Sequence, residues 1–386
     1  MTLVSEVKKE LEGHIIPFWN SLRDDENGGF YGFMDCNLKL DKTAEKGVIL
    51  HSRILWFYSN CYLVLKDEKC LENAKHCYEF MVKHCVDRKN GGVYWLMNAD
   101  GTVSDSMKHT YCQAFFLYAL SSYYDASGDE SALKLAMEIF DIIEEKCTDD
   151  VAYLEAMSAE WELIPNDALS ENGLMADKTM NTTLHLLEAY TELYRVHKDE
   201  RVLDRLKFQL QLFLDKIFYP EDDRLLVFFD REFKVIGDIH SYGHDIEATW
   251  LLDRACEVIG DSSLTEKVSA MNKRVVANIA KIAYENNSLN NERENDKINK
   301  IRVWWVQAEA VVGFLNGYQK YGEEKYLGMA ENIWGYIKSE LIDKREGGEW
   351  HSQIEEDGRP TVKPVVDPWK CPYHNGRMCL EVLKRS

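Results

Sequence analysis

The sequence predicts an all-α protein, an (α/α)6 barrel of six outer and six inner helices with short β-hairpin loops at one mouth. Apolar residues recur at spacings of three and four along twelve stretches of the chain. These stretches alternate between a Lys- and Glu-rich composition and a Trp-, Tyr-, Phe- and Leu-rich composition. Within each pair a turn-rich segment separates the two stretches, and the next pair follows after only a few residues.

Charge on one face is typical of a helix at the surface, and aromatic residues on several faces are typical of a helix that packs on both sides. We therefore expect each pair to be an outer helix followed by an inner helix. The twelve predicted helices cover residues 4–21, 48–65, 71–86, 110–124, 131–146, 179–196, 202–217, 244–259, 264–284, 303–321, 324–341 and 371–383.

The turn-rich segments at residues 27–34, 90–97, 222–230 and 346–353 carry short alternating runs with aromatic residues, which predicts small hairpins or extended loops. No Pro-, Ser- or Gly-rich linker interrupts the chain, and only seven prolines occur, so we predict a single domain over residues 1–386. An open superhelix of helix pairs is the alternative, but its repeats are shorter, at about 34 to 47 residues.

Charge and cysteine usage limit the class of partner. A formal net charge of -20 disfavours nucleic acid and anionic membranes, so a neutral partner fits better. Ten isolated cysteines without a Cys-x-x-Cys pair are typical of reduced thiols in a cytoplasmic protein. The N-terminus lacks the apolar core of a signal peptide, and no stretch approaches about 20 apolar residues. We expect a soluble, cytoplasmic monomer.

Chemically active residues concentrate where the predicted inner helices begin, and six of the eleven histidines lie there. If the long loops all lead into inner helices, these residues meet at one mouth of the barrel. The candidates are His51, Arg53, His109, Tyr111, Asn181, His185, His240, His244, Glu247, Trp304, Trp305, Glu309, Trp369 and His374.

Aromatic walls with a few inward-pointing polar groups suit a neutral polar ligand such as a sugar, because aromatic faces stack on C–H faces of pyranose rings. Histidine adds a capacity that binding does not require. Its pKa near neutrality lets the imidazole accept and return a proton at physiological pH. The composition of the mouth therefore indicates proton transfer on a sugar.

Several of these residues have other interpretations. His240 and His244 are four residues apart and, with Glu247, resemble a metal site, although Gly243 can interrupt the spacing and no further ligand cluster completes it. Adjacent Trp304 and Trp305 point about 100 degrees apart on a helix, so both cannot be buried in the same way.

Arg53 stands beside apolar residues, which indicates a partly buried guanidinium that needs an acceptor. His51 and His109 have the alternative role of packing or loop residues.

Five motifs in order resemble the N-acylglucosamine 2-epimerase superfamily, and within it the cellobiose 2-epimerase group. The likeness runs from about Ile15 to Glu381. The motifs are Gly47-Val-Ile-Leu-His-Ser-Arg-Ile-Leu-Trp-Phe57, Asn181-Thr-Thr-Leu-His185, His240-Ser-Tyr-Gly-His-Asp-Ile-Glu247, Val303-Trp-Trp-Val-Gln-Ala-Glu309 and Trp369-Lys-Cys-Pro-Tyr-His-Asn-Gly-Arg377.

The resemblance implies an (α/α)6 barrel that epimerises the reducing-end glucose of cellobiose or lactose at C2, with no cofactor and no metal. It implies that His244 and His374 are the acid/base residues, that Glu247 orients His244 and that Arg53 binds the enediolate oxygen. The residues that it assigns to substrate binding are Asn181, His185, Trp304, Trp305, Glu309 and Trp369, to which we add Tyr111 and His240 from the same helix starts.

Two further classes of function remain open from the sequence. An aldose–ketose isomerase acting on mannose, or an epimerase of N-acetylglucosamine, would share the enediolate intermediate. A glycoside hydrolase would use two carboxylates about 5 to 10 Å apart, a role in which Glu247 and Glu309 are the candidates. A sugar-binding protein without activity is also open. The density of histidine has no purpose in hydrolysis, so we favour the epimerase.

Overall fold

A computed structural model describes residues 2–166, 168 and 173–386. The chain divides into two compact units. Unit 1 comprises Met1–Asn166, Lys344–Glu349 and Val362–Ser386, and unit 2 comprises Asp167–Asp343 and Trp350–Thr361.

Thirteen α-helices lie in the described residues, and their bounds follow the sequence expectation closely. They are α1 (Leu3–Glu10), α2 (Ile16–Ser21), α3 (Val48–Leu65), α4 (Glu68–Phe80), α5 (Thr110–Ser127), α6 (Glu130–Lys146), α7 (Met180–Val196), α8 (Glu200–Leu212), α9 (Tyr242–Ile259), α10 (Ser262–Ile282), α11 (Trp304–Tyr321), α12 (Glu324–Tyr336) and α13 (His374–Lys384).

All twelve predicted helices are confirmed. The first consists of α1, a π-helical turn at Leu11–Ile15 and α2. Three further outer helices end in π-helical turns, at Met81–Cys85, Phe213–Ile217 and Ile337–Leu341, which the apolar periodicity did not predict.

Sixteen strands of two or three residues form seven small sheets in the described part of the chain. They are β1 (Lys46–Gly47), β2 (Leu96–Met97), β3 (Val103–Asp105), β4 (Lys108–His109), β5 (Ala156–Met157), β6 (Lys178–Thr179), β7 (Phe218–Tyr219), β8 (Arg224–Leu225), β9 (Phe228–Phe229), β10 (Ile239–Ser241), β11 (Tyr284–Glu285), β12 (Ser288–Leu289), β13 (Glu292–Glu294), β14 (Lys297–Asn299), β15 (Arg302–Val303) and β16 (Gln353–Ile354).

The pairing is antiparallel throughout these sheets. It joins β1 to β2 to β3, β10 to β13 to β14, β4 to β5, β6 to β9, β7 to β8, β11 to β12 and β15 to β16. A strand therefore precedes α3, α5, α7, α9 and α11 directly, and the side chains at these helix starts are fixed on both sides of the junction. The β13–β14 hairpin was not predicted.

In unit 1 the inner helices α3 and α5 pack on each other, with α4 and α6 outside them, and the third inner helix, α13, packs on α3 and α1. Of its 18 residues α3 buries 14, whereas α4 buries six of 13, which confirms the assignment of inner and outer helices for this pair. Buried ion pairs hold the turns to the strands: Lys46 Nζ lies 2.7 Å from Asp24, and Lys108 Nζ lies 2.9 Å from Asp87.

In unit 2 the helix α9 packs between α7 and α11, with α10 and α12 on the outside. Of its 18 residues α9 buries 13, whereas α10 buries six of 21. This difference again matches the predicted alternation of inner and outer helices, because a helix covered on several sides buries residues around its circumference.

Among the described residues one helix, α3, is long and apolar enough to cross a membrane by length and composition. Inside the protein, 78% of that helix is buried, as is usual for the core helix of a globular unit. All ten cysteines lie in the described part of the chain and are free, and nine of them are buried. This agrees with the expectation of reduced thiols.

Candidate active site

Arg53 is the central polar residue of unit 1 and is only 3% exposed. It lies in the second turn of α3, where Nη2 donates to the Tyr111 hydroxyl at 2.8 Å. Its Nη1 is 3.3 Å from the carbonyl oxygen of Trp369 and 3.8 Å from Sγ of Cys371. The helices α3 and α5 and the segment before α13 therefore meet at this guanidinium.

The partners of Arg53 are aromatic rings and neutral acceptors. The guanidinium carbon is 4.3 Å from the ring centre of Phe115 and 4.9 Å from that of Tyr373. No carboxylate of the described residues pairs with it, and its Nε makes no hydrogen bond there. A buried cation without an anionic partner is costly, so this site would stabilise negative charge on a ligand oxygen.

Aromatic side chains surround this arginine. Trp369 is 38% exposed, and its ring centre lies 5.9 Å from that of Trp95 and 6.1 Å from that of Tyr111. His374 is the first residue of α13 and is buried, with its ring edge-on to Tyr373 at 4.7 Å. Unit 1 thus brings together four of the predicted site residues, namely Arg53, Tyr111, Trp369 and His374.

His51 and His109 are packing residues, as the alternative interpretation has it. His51 Nε2 accepts the Phe30 N–H at 3.0 Å, and Nδ1 lies 2.8 Å from the Gly47 carbonyl. His109 Nδ1 accepts the Tyr111 N–H at 3.2 Å, which caps α5. Burial lowers the pKa of each imidazole to about 4, so both rings are neutral at pH 7.

His244 lies in the first turn of α9 in unit 2 and is partly exposed. Its Nδ1 is 2.7 Å from the Ser241 hydroxyl, and its ring centre is 4.8 Å from that of Trp305. Its Nε2 makes no hydrogen bond to any residue that the structure describes. Burial, reinforced by His185 and opposed by Glu309, lowers the pKa of His244 to about 3. The ring is therefore neutral at pH 7, as a general base must be.

His185 lies between two carboxylates. Its Nδ1 is 2.8 Å from Oε2 of Glu188, and its Nε2 is 4.0 Å from Oε1 of Glu247. We expected Glu247 to orient His244, but in the described part of the chain the hydrogen-bonding partner of His244 is Ser241. This part of the expectation is corrected, because the Glu247 carboxylate lies close to His185 on α7.

Glu309 is fully buried on α11, and its Oε2 accepts the indole N–H of Trp250 at 3.0 Å. Trp304 is 5% exposed, whereas Trp305 is partly exposed, so the two indoles differ in burial as their spacing requires. Asn181 is partly exposed at the start of α7, with an Oδ1 that has no partner among the described residues. These side chains line the starts of the inner helices of unit 2.

His240 does not share a helical face with His244. It lies in β10, and its Nε2 is 2.7 Å from Oδ2 of Asp245, with both side chains buried. His240 is part of strand β10 and not of helix α9, so the alternative interpretation of His240, His244 and Glu247 as a metal site is not supported by the described residues. The contact of His240 with substrate stays a prediction.

The carboxylates of Glu247 and Glu309 each have an oxygen within 4.8 Å of the other. Carboxylate oxygens at this separation could also contribute to a metal site, which for zinc would need further ligands. These two buried carboxylates can accept hydrogen bonds from sugar hydroxyls.

The sequence interpretation missed four residues that support these side chains: Ser241, Glu188, Trp250 and Trp95. Glu188 was open to prediction, because it follows His185 by three residues on one helix and such pairs face each other. The contact between Trp250 and Glu309 joins two helices, and nothing in the local sequence indicates it.

Comparison with known proteins gives relatives over the whole chain. The sequence profile of the N-acylglucosamine 2-epimerase (GlcNAc 2-epimerase) family matches residues 28–376. A cellobiose 2-epimerase of Ruminococcus albus is 58% identical over 385 residues, which are 100% of this chain and 99% of the relative.

Solved structures establish the fold class. The crystal structure of a sugar epimerase from a ruminal bacterium superposes with a TM-score of 0.99 at 57% identity, covering 100% of this chain and 99% of the other. A D-mannose isomerase has a TM-score of 0.85 at 18% identity over 98% and 97% of the two chains, a likeness of fold alone. The predicted all-α, (α/α)6-barrel class is confirmed. The chain belongs to the N-acylglucosamine 2-epimerase family.

Proposed function

We propose that this protein is a carbohydrate epimerase that converts the reducing-end glucose of cellobiose to mannose by inverting C2, giving 4-O-β-glucosyl-mannose. The support is the identity of 58% over the full chain with the Ruminococcus albus protein named cellobiose 2-epimerase. We extend the proposal to lactose, whose reducing-end glucose has the same β-1,4 substitution and whose product is epilactose.

The reaction begins with opening of the hemiacetal, which exposes an aldehyde at C1. A base then removes the proton from C2, and the electrons of that C–H bond form an enediolate across C1 and C2. An acid on the opposite face returns a proton to C2, so no redox change occurs. Two groups are needed, one neutral to remove the proton and one protonated to return it on the other face, and we propose that they are His244 and His374.

One observation carries this proposal: the imidazole of His244 is held at Nδ1 by Ser241 while Nε2 has no hydrogen bond in the described part of the chain. Because the pKa of His244 is lowered to about 3, the ring is not blocked by a proton at physiological pH. A fixed, neutral imidazole with one accessible nitrogen has the properties that proton removal from C2 requires.

Arg53 is the proposed stabiliser of the enediolate. Its buried guanidinium lies against aromatic rings and has no carboxylate partner among the described residues. A fixed donor aimed at a developing oxyanion typically contributes about 3 to 4 kcal/mol to transition-state stabilisation. Negative charge on the C1 oxygen would supply the anion that the protein itself does not provide.

The remaining residues are proposed to bind sugar. Trp305 and Trp369 are partly exposed, as residues that stack on a sugar ring must be. Trp304, which precedes Trp305 in the sequence, is buried. The polar set proposed to hold hydroxyl groups or to assist ring opening is Tyr111, Asn181, His185, His240, Glu247 and Glu309.

The decisive experiment incubates the purified protein with cellobiose in D2O containing EDTA, without nucleotide. We expect the 2-epimer, with deuterium at C2. Formation of a 2-ketose instead would support the isomerase alternative, and absence of both product and exchange would overturn the proposal. His244→Ala and His374→Ala should abolish exchange, whereas His197→Ala, at an exposed outer position, should match the unsubstituted protein.

We further propose a cytoplasmic location, a single domain over residues 1–386, a monomeric state and no cofactor, nucleic acid or membrane partner. Free cysteines and the net charge of -20 support the location and the choice of partner. Light scattering of the purified protein tests the monomer. Unchanged epimerisation after dialysis against EDTA tests the independence from metal.

A further inference from the structure

Ser241 occupies the N-cap position of α9 but does not cap the helix. Serine is among the preferred N-cap residues, because its hydroxyl accepts a backbone N–H of the first turn. In α9 the N-cap side chain makes no such bond. Thr179, which has the corresponding position before α7 in the same unit, accepts the Thr182 N–H at 3.0 Å and caps its helix in the usual way.

The hydroxyl of Ser241 is instead directed to His244. Its Oγ lies 2.7 Å from Nδ1, and the serine is 7% exposed. This is its one hydrogen bond from the side chain among the described residues. The first turn of α9 therefore lacks the stabilising side-chain cap, and the hydroxyl that could have supplied it holds the imidazole of His244 instead.

Two other histidines of unit 2 are held differently. His185 Nδ1 is 2.8 Å from the carboxylate of Glu188, and His240 Nε2 is 2.7 Å from the carboxylate of Asp245. An ionised carboxylate only accepts, so it fixes a proton on the facing nitrogen and favours the imidazolium. A hydroxyl both donates and accepts, so it fixes neither tautomer.

We infer that Ser241 is the positioning residue of His244, and that its hydroxyl lets the ring present either a lone pair or a proton at Nε2. When Nδ1 donates to Oγ, Nε2 carries a lone pair and can remove a proton. Once Nε2 has taken a proton, the ring is an imidazolium whose Nδ1–H still donates to Oγ, and Nε2 can return that proton to C2 and become neutral again. This inference rests on the proposed epimerase function.

A reversible epimerase needs both states of one imidazole. If His244 removes the C2 proton from one epimer, the reverse reaction requires the same ring to protonate C2 on the same face. A carboxylate at Nδ1 would make the imidazolium too stable to return its proton readily. The serine keeps His244 weakly basic and available in both directions.

The other groups acting on His244 are consistent with this role. His185 of α7 lowers the pKa of His244, and Glu309 of α11 raises it by a smaller amount than burial lowers it. Trp305 of α11 lies against the ring and carries no charge. The group that contacts Nδ1 of His244 is thus the uncharged hydroxyl of Ser241.

The test compares Ser241→Ala, Ser241→Thr and Ser241→Asp in the full-length protein, with cellobiose as substrate. We expect Ser241→Ala to lower kcat roughly tenfold with KM changed less than about twofold, because one hydrogen bond to the catalytic ring is lost. Threonine, which keeps the hydroxyl, should restore kcat to within about threefold. Aspartate should shift the acidic limb of the pH–rate profile upward by about one unit or more.

Nitrogen-15 NMR of histidine-labelled protein gives a readout that does not depend on activity. The His244 signals, identified by their loss in His244→Ala, should show both tautomers in the unsubstituted protein, an altered ratio in Ser241→Ala and a fixed Nδ1–H in Ser241→Asp. If the protein does not epimerise cellobiose, the proposed function fails, and these shifts still decide whether Ser241 controls the ring.

Thr179→Ala is the matched control. It removes a true cap, so it should lower Tm and leave the pH–rate profile unmoved, whereas Ser241→Ala should leave Tm nearly unchanged. Unaltered kcat and unaltered nitrogen shifts in Ser241→Ala would overturn the inference. So would a loss of activity in which alanine and threonine behave alike and aspartate leaves the pH profile in place.

Discussion

Nε2 of His240 lies 2.7 Å from Oδ2 of Asp245, and both side chains are buried. The sequence spacing of these two residues recurs at the start of the other inner helices. A basic residue precedes each of them, and a polar residue follows it by five positions. The pairs are Lys46 with His51, Lys108 with Gln113, Lys178 with Thr183, His240 with Asp245, Arg302 with Gln307, and Lys370 with Asn375. All these basic side chains are buried, so His240, besides its proposed contact with substrate, has the sequence position of a buried basic residue.

This relationship predicts how His240 variants behave. His240→Ala would leave the buried Asp245 carboxylate without its imidazole partner, and we expect a loss of about 3 kcal/mol in the free energy of unfolding. His240→Lys should retain most of the stability, because lysine has the same position in four of the other five pairs. Urea unfolding at pH 7 measures both. Unchanged stability together with a raised KM for cellobiose would instead make His240 a substrate-binding residue.

A second prediction concerns acid stability. The pKa of the buried His51 is lowered from 6.5 to about 4, chiefly by burial. As pH falls from about 6.5 to about 4, the unfolded chain therefore binds a proton that the folded protein does not, and stability is lost. The difference for one such histidine is roughly 3 kcal/mol.

His51→Gln should remove that loss, since Gln113 fills the corresponding position and its Oε1 accepts the Val93 N–H at 2.8 Å, as His51 Nε2 accepts the Phe30 N–H. Urea midpoints at pH 7, 5.5 and 4.5 should vary less in this variant than in the unsubstituted protein. His197→Gln, at an exposed position, is the control and should show the original dependence. Equal pH dependence in both variants would contradict the assignment of a neutral His51.

Arg53 should act on turnover. If its guanidinium stabilises the enediolate, Arg53→Lys and Arg53→Ala should lower kcat by about 10² to 10³ while KM changes little. Tyr111→Phe removes the acceptor at 2.8 Å from Nη2 and should have a smaller effect, at most about tenfold. Initial rates of cellobiose epimerisation measure all three. A raised KM with unchanged kcat would assign Arg53 to ground-state binding.

Helices and hairpins could be predicted because their signals are local. The predicted bounds 48–65 agree with α3 at both ends, and those of α11 agree within one residue. The predicted start at residue 371 was three residues early, since α13 begins at His374. The fold class followed from composition alternating along the chain, which reports burial on one or on several sides of a helix.

The partners of the histidines could not be predicted, because they depend on tertiary contacts. His240 and His244 have a spacing that suits a shared helical face, yet the strand β10 ends between them at Ser241. Ser241 has the sequence character of an N-cap, and only its contact with His244 shows a different use. The spacing of five positions between a basic and a polar residue was present in the sequence, and it identifies His240 as one of six basic residues that precede the inner helices.

Gly243 is required by a close approach of two helices. A Cβ atom at this position would lie 2.5 Å from Cη2 of Trp305 and 2.7 Å from a methyl group of Val306. The Trp305 ring in turn lies against His244. An added methyl group would therefore displace the indole that covers the imidazole.

Gly243→Ala should consequently reduce kcat/KM for cellobiose at least tenfold and lower Tm, because overpacking typically costs about 1 to 3 kcal/mol and outweighs the helix propensity of alanine. Gly328→Ala on α12 is the matched control: it is also a helical glycine, but nothing lies within 4 Å of its added Cβ. That variant should raise stability by about 0.5 to 1 kcal/mol and leave activity unchanged. Similar behaviour of the two variants in thermal unfolding and initial rates would contradict this prediction. It would show that the Trp305 side chain can move without cost, and that its position against His244 does not depend on Gly243.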